Sequence, residues 1–427
     1  MSDYKFETLA LHAGQNRQES ERSRAVPIYR TTSYLFKDTT QAANLFGLKE
    51  LGSIYTRLQN PTQNILEERV AALEGGAAAL AVASGTSAIF YSIINLAKNG
   101  DEIVAANNLY GGTFSMFHDI LPNYGITVRF VDPNNLEQLE ASINDKTRAV
   151  YGETIGNPAL EVLDVKAVAD VAHKHGLPLI VDSTFTTPYL LRPIEYGADV
   201  VVHSLTKWIG GHGTSIGGIV VDSGKFDWKQ DRFDLFNKPD SGYHGLKFAH
   251  DLPEPLAPIA YALRMRLIPL RNLGAAISPD HAWAFLQGLE TLHLRMERHS
   301  ENGLKVAKYL KNHPQVEWVR YPGLEDDPSH AIASKYLKKG FGGMVVFGIK
   351  GGAEAGAKFI NSLELFSHVA NVGDAKSLAI HPASTTHSQL SEEDLTSGGI
   401  TPNLVRLSIG LEHIDDIVAD IEQAFKA

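Results

Sequence analysis

Leu179-Ile180-Val181-Asp182 and Val200-Val201-Val202-His203-Ser204-Leu205-Thr206-Lys207 decide how this chain is read. Each begins as an apolar run short enough for a buried strand and ends in polar residues. In an open parallel sheet a ligand lies beyond the carboxyl ends of the strands, so Asp182 and the Ser204 to Lys207 segment would face one crevice. The glycines that follow, Gly210, Gly211, Gly213, Gly217 and Gly218, give up side-chain packing and let backbone come close to a ligand. A carboxylate and a lysine at one ligand suit pyridoxal phosphate. The amine forms a Schiff base with its aldehyde, and the acid keeps its pyridine nitrogen protonated so that the ring can take up carbanion electrons. Ser204 and Thr206 would add hydroxyls for its phosphate. Taken alone, a lysine after a strand is usually a solvated loop residue and an aspartate there a helix N-cap, so the reading rests on what surrounds them.

Upstream the same alternation repeats. Ala79 to Ala83 reads as a buried strand, Ser84-Gly85-Thr86 as a turn and Ser87 to Ala97 as a helix, and a small turn entering a helix presents N–H groups to an anion. Further strands are expected at Glu102 to Ala106, Thr127 to Val131, Arg148 to Glu153, Leu179 to Val181 and Asp199 to His203. Helices are expected at Gly112 to Tyr124, Leu136 to Ile143 and Val165 to His175. This rhythm argues for a parallel sheet with right-handed crossovers. Two loops at the same edge carry candidate chemistry. In Leu109-Tyr110-Gly111-Gly112-Thr113 the phenol ring could stack on a flat cofactor, and Glu153-Thr154-Ile155-Gly156-Asn157-Pro158 would set the Asn157 amide near it. A core tyrosine and an Asn-Pro turn are the structural alternatives.

Residues 1 to about 60 lack this alternation and read as an arm, whose Ile54-Tyr55-Thr56-Arg57 segment would show a phenol and a phosphate-matched guanidinium on one side. A large domain is expected over 61–270. It opens with an amphipathic helix from Pro61 that closes at Gly75-Gly76, and it includes an insertion at about 225–270 lying over the mouth of the site. Residues 271–427 read as a smaller α/β domain. It has one long helix from His281 to Lys311, strands near Glu317 to Arg320, Met344 to Ile349, Leu378 to Ile380 and Leu404 to Ser408, and a last helix from Ile414 to Phe425. Arg406 lies inside the last strand, where its charge needs either a substrate carboxylate or a structural salt bridge.

Composition removes other classes. The formal net charge of -10 would repel a nucleic-acid backbone, and no Lys/Arg-rich block offsets it. With 0 cysteines there is no disulfide, thiolate metal site or cysteine nucleophile, so any sulfur chemistry must use sulfur brought by a substrate. Neither a signal peptide nor a membrane span is read, and a cytoplasmic protein is expected. No G-x-G-x-x-G and no G-x-x-x-x-G-K-[ST] occurs, and His173 with His175 reads as a solvated pair and not as a metal site.

With Tyr55, Arg57, Ser84-Gly85-Thr86, Tyr110-Gly111-Gly112, Asn157-Pro158, Asp182-Ser183-Thr184 and Ser204-Leu205-Thr206-Lys207 in order, nearly the whole chain resembles the Cys/Met metabolism family of pyridoxal-phosphate enzymes. The resemblance implies the aspartate aminotransferase-type fold (fold type I) and a homotetramer built from tight dimers. It makes Lys207 the Schiff-base lysine, Asp182 the pyridinium partner and Tyr110 the stacking ring. It gives Gly85, Thr86, Ser204 and Thr206 to the phosphate, and has Tyr55 and Arg57 reach the phosphate of a neighbouring subunit. It places Asn157, Ser377 and Arg406 near the ring and the substrate carboxylate, with Tyr55 or Tyr110 carrying protons. Four long runs narrow the branch: Glu7 to Gly14, Gly242 to Gly245, His381 to Gln389 and Arg406 to Glu412. They imply γ-replacement, in which O-acetylhomoserine and sulfide give homocysteine and acetate. Cysteine as acceptor, O-succinylhomoserine as donor and a catalytically silent scaffold stay open. The lyase branch carries a cysteine where this chain has Gly112.

Overall fold

The computed structural model describes residues 4–15, 23–382, 385 and 401–427. Its larger sheet has seven strands: β1 Ala78–Val82, β2 Glu102–Ala106, β3 Thr127–Val131, β4 Thr147–Glu153, β5 Leu179–Asp182, β6 Val200–Ser204 and β7 Gly218–Asp222. They lie in the order β1-β7-β6-β5-β4-β2-β3, parallel except for β7, which runs antiparallel to both neighbours. β7 is absent from the sequence reading. Its run Gly218-Ile219-Val220-Val221 follows the glycine loop with no helix between, and an antiparallel return needs none.

Each central strand is buried on both faces, which is why it reads as a continuous apolar run. On β5, Leu179 and Val181 enter one core while Ile180 enters the other, and on β6 Val201 faces opposite to Val200 and Val202. The first core is roofed by the helices Pro61–Glu74, Val165–Lys174 and Pro279–Glu290, the second by Gly85–Ile94 and Ala260–Met265. Burial of one such valine stabilises the fold by roughly 1.5–3 kcal/mol.

The insertion fills this second core. Trp228 stacks against both Phe236 and Tyr261 at centroid distances of 4.7 and 4.9 Å, and Arg264 donates to the Asn95 carbonyl beyond the C-terminal end of Gly85–Ile94. That is the end of the helix away from Ser84, and no residue of 225–270 lines the main cavity. The expectation of a cover over the mouth is corrected accordingly: the aromatic residues of the segment are buried against the sheet, where they exclude more water than on a lid.

The smaller sheet contains β8 Val316–Arg320, β9 Met344–Ile349, β10 Ser367–His368, β11 Leu378–Ile380 and β12 Leu404–Ser408, in the order β10-β11-β12-β9-β8. The helix expected from His281 to Lys311 is two, Pro279–Glu290 and Leu292–Lys311, broken at Thr291. Periodicity carries through the break because both halves bury an apolar face, the first over the large sheet's core and the second partly over the small sheet's. Similarly, the helix expected over 112–124 begins as Gly111–Ser115, widens to a π turn at Met116–Ile120 and closes as a 3-10 turn at Leu121–Tyr124. His173 and His175 are not free: His173 contacts Asp199 at 2.8 Å and His175 contacts Glu140 at 2.8 Å. No metal-binding cluster of His and acidic residues occurs among the described residues.

Candidate active site

A cavity of about 270 Å³ opens at the carboxyl ends of β4, β5 and β6. Five of its walls come from different strand ends and connections of the large sheet, and the sixth from the small one. Glu153 ends β4, Asp182 ends β5 and Ser204 ends β6, so three consecutive positions in the sheet point polar groups into one space. Lys207 follows β6 by a tight turn in which its N–H donates to the Ser204 carbonyl at 3.3 Å. Ser84-Gly85-Thr86 enters after β1, Tyr110 after β2, and Asn371 and Arg406 reach over from the small domain.

The Ser84 hydroxyl caps the helix Gly85–Ile94 by accepting from Ser87 N–H at 3.0 Å. The Gly85 and Thr86 amides find no acceptor among the described residues, and they sit at the positive end of a ten-residue helix dipole. Gly85 is required there, because a Cβ would come within 2.6 Å of the Ser204 Cβ. Thr206 accepts from Gly217 N–H at 3.1 Å, which pins the glycine loop beside this turn. The result is an anion seat with Ser204 at its edge.

Lys207 Nζ donates to Asn371 Oδ1 at 2.6 Å. Burial, with a smaller contribution from the Arg406 charge, lowers its pKa to about 8. Asp182 accepts from Thr184 N–H at 2.9 Å; burial raises its pKa and this hydrogen bond opposes the rise. Arg406 is buried and donates from Nη1 to Asn157 Oδ1 at 2.9 Å, and burial lowers its pKa to about 10. No acidic residue forms an ion pair with it among the described residues, so the structural salt bridge considered from sequence is absent.

Eight of the expected site residues therefore converge: Gly85, Thr86, Tyr110, Asn157, Asp182, Ser204, Thr206 and Lys207 line the cavity, and Arg406 makes a ninth. Three do not. The Ser377 hydroxyl is buried away from the cavity, donating to Glu412 at 2.9 Å and accepting from Gly410 N–H at 2.9 Å. Asn371, six residues earlier in the chain, occupies the wall instead; its signal in the sequence was only a polar residue before Val372-Gly373-Asp374. Tyr55 and Arg57 are exposed and outside the cavity, with the guanidinium 5.0 Å above the Tyr55 ring. Glu153 was also missed as a site residue. The strand-end rule applied to Asp182 would have found it one strand over.

Residues 7–426 match the model of the Cys/Met metabolism PLP-dependent enzymes. The chain belongs to this family. It is 57% identical to an O-acetyl-L-homoserine sulfhydrylase of Leptospira meyeri, with 99% of this chain and 97% of the relative covered. It is 54% identical to a homocysteine synthase of Schizosaccharomyces pombe, with 99% and 98% covered. A solved structure from Campylobacter jejuni, assigned as an O-acetylhomoserine (thiol)-lyase and holding a pyridoxyl-lysine phosphate, superposes with a TM-score of 0.96 at 44% identity. It matches over 99% of this chain and 100% of that one. The large sheet with its smaller companion is thus a fold type I PLP scaffold.

The residues present fit pyridoxal phosphate. Free first-turn amides suit a phosphate, a lysine of lowered basicity suits an aldehyde, a half-buried carboxylate suits a pyridine nitrogen, and the Tyr110 ring offers a flat wall.

Proposed function

We infer that this protein is a PLP-dependent transferase that converts O-acetyl-L-homoserine and sulfide to L-homocysteine and acetate. The observation that carries the reading is the cavity holding Lys207, Asp182 and Arg406 together, in a chain 57% identical to a sulfhydrylase. Pyridoxal phosphate, when bound, supplies the electron sink for charge developing beside the substrate amine. Lys207 anchors it and, once exchanged for the substrate amine, takes the proton from Cα. A pKa of about 8 leaves part of this amine neutral and able to do so near neutral pH. Asp182 holds the proton on the pyridine nitrogen. Gly85, Thr86, Ser204 and Thr206 hold the phosphate, and Arg406 with Asn157 receives the α-carboxylate. Tyr110 and Tyr55 carry protons at the γ-exchange, in which acetate leaves Cγ and sulfide takes its place.

The lining favours the acetyl donor. Among the described residues of one chain its cations are Lys207 and Arg406, each with a role above, and Ile89, Ile155, Phe185, Ile216 and Val372 add apolar lining that suits an acetyl group. Tyr55 and Arg57, exposed and outside their own cavity, complete the site of a second copy in a dimer-based homotetramer. No helix among the described residues is long and apolar enough to cross a membrane, and the reaction is assigned to the cytoplasm.

A competition assay with sulfide and cysteine, each on O-acetyl- and O-succinylhomoserine, tests the assignment. Homocysteine from the acetyl ester should dominate. Preferred formation of cystathionine would replace this reading by cystathionine γ-synthase activity.

A further inference from the structure

Glu153 has no role in the reading above, yet it lines the cavity beside Asp182. The two are register partners on β4 and β5, so their side chains leave the sheet on the same face. Glu153 Oε1 accepts the Tyr110 N–H at 2.8 Å, and Tyr110 caps the short helix Gly111–Ser115. The Tyr110 ring lies over Gly112, where a Cβ would come within 2.6 Å of it. One carboxyl group therefore ties the loop carrying the ring to the strand next to Asp182.

Two carboxylates in register, Glu153 buried and Asp182 half-buried, each disfavour ionisation of the other. Asp182 has the better claim to the charge, since the Thr184 N–H and side chain both lower its pKa, whereas Glu153 accepts a single backbone N–H. Glu153 faces Asp182 on β5, the Tyr151 phenol on its own strand and the Tyr110 amide, and gains no cationic partner from them. Burial and the Asp182 charge push its pKa well above the usual carboxylate range. Lys207 and Arg406 stand on the cavity wall, where Asn371 and Asn157 accept from them.

We propose that Glu153 is a positioning residue for the cofactor ring: as a neutral acid it fixes the Tyr110 loop over the cavity and leaves Asp182 the single anion for the ring nitrogen. This rests on reading the cavity as the pyridoxal phosphate site. The protonated Glu153 differs from glutamine little in shape, and both keep an acceptor for the Tyr110 N–H, whereas leucine keeps neither acceptor nor proton.

The test uses the reconstituted protein and its Glu153→Gln, Glu153→Leu and Tyr110→Leu variants. Cofactor release on dilution should be about tenfold or more faster for Glu153→Leu, because a buried N–H loses its acceptor, and within about threefold of the parent for Glu153→Gln. The infrared C=O band of a protonated carboxyl at neutral pH should be present in the parent and lost in Glu153→Gln. Effects of Glu153→Leu and Tyr110→Leu on release should be less than additive in free energy, since one acts through the other. Thermal unfolding identifies a variant that has not folded, in which case Glu153→Gln and the infrared band decide. Parent-like release from a folded Glu153→Leu overturns the proposal, and so does an absent band or an effect of Glu153→Gln as large as that of leucine. If the parent itself takes up no pyridoxal phosphate, the reading of the cavity fails instead.

Discussion

Arg406 on β12 donates to Asn157 on the loop after β4 across 2.9 Å, joining the small sheet to the cavity wall of the large one. The guanidinium keeps most of its donors uncommitted, although it is buried. Replacing it by leucine should raise KM for O-acetylhomoserine far more than KM for sulfide, which makes no carboxylate contact. Truncation of such a buried charge partner costs about 2–5 kcal/mol, on the order of 30-fold or more in KM. Steady-state kinetics varying each substrate in turn measure both; equal losses would assign Arg406 to scaffolding.

Lys207→Ala should remove both turnover and the covalent lysine–cofactor link while leaving the fold intact. The buried amine also predicts a cost in the cofactor-free protein. Its pKa falls from 10.5 to about 8, so the folded state holds the proton less tightly than the unfolded one. The penalty is full below pH 8 and fades as pH rises from 8 towards 10.5. Cofactor-free Lys207→Met should accordingly be more stable than the parent by about 3 kcal/mol at pH 7, a gap that closes by about pH 10.5. Urea titrations of both proteins across this range check the sign.

Asp182→Asn should still bind cofactor, since the phosphate seat is untouched, yet lose about two or more orders of magnitude in kcat. A neutral amide does not hold a positive charge on the pyridine nitrogen. Near-normal kcat in a cofactor-loaded preparation would remove Asp182 from the chemistry.

Arg295 is buried in the helix Leu292–Lys311, and its guanidinium donates to the carbonyls of Trp208 at 2.6 Å, Ile209 at 3.0 Å and Gly288 at 2.7 Å. It thereby holds the backbone that immediately follows Lys207. Arg295→Met would leave three buried acceptors unpaired and should destabilise the protein by about 3–5 kcal/mol. Denaturant midpoints give the number, and slower relinking of cofactor to lysine after reconstitution would follow from a looser turn.

Shared sites predict rescue on subunit exchange. When Lys207→Ala and Arg57→Ala chains reassort, a hybrid dimer collects both lesions in one site and leaves the other intact. About half of randomly formed dimers are hybrid, so roughly a quarter of all sites should recover full activity. If Arg57 serves its own chain, activity stays at the mean of the parents even after mass measurement has established exchange.

The large sheet was legible because each parallel strand is a short apolar run bounded by glycine or polar residues, with a helix between, and because ligands gather at strand ends. That logic alone placed Asp182 and Lys207 at one crevice. It failed for β7, where no helix intervened, and for Thr291, where the apolar period continued through a change of direction.

What the sequence by itself determined is local: which runs are buried, which turns open a helix to an anion, and which residue types end each strand. Only the tertiary structure decided whose side chain reaches the cavity. Ser377 and Asn371 lie six residues apart before the same strand, β11. Their roles separate because Glu412 and Gly410 claim the Ser377 hydroxyl while Asn371 meets Lys207 across the domain boundary. Glu153 acquires its meaning in the same way, from an aspartate on the next strand and an amide after β2. Such partners are distant in sequence, and periodicity carries no information about which of them a polar group will meet.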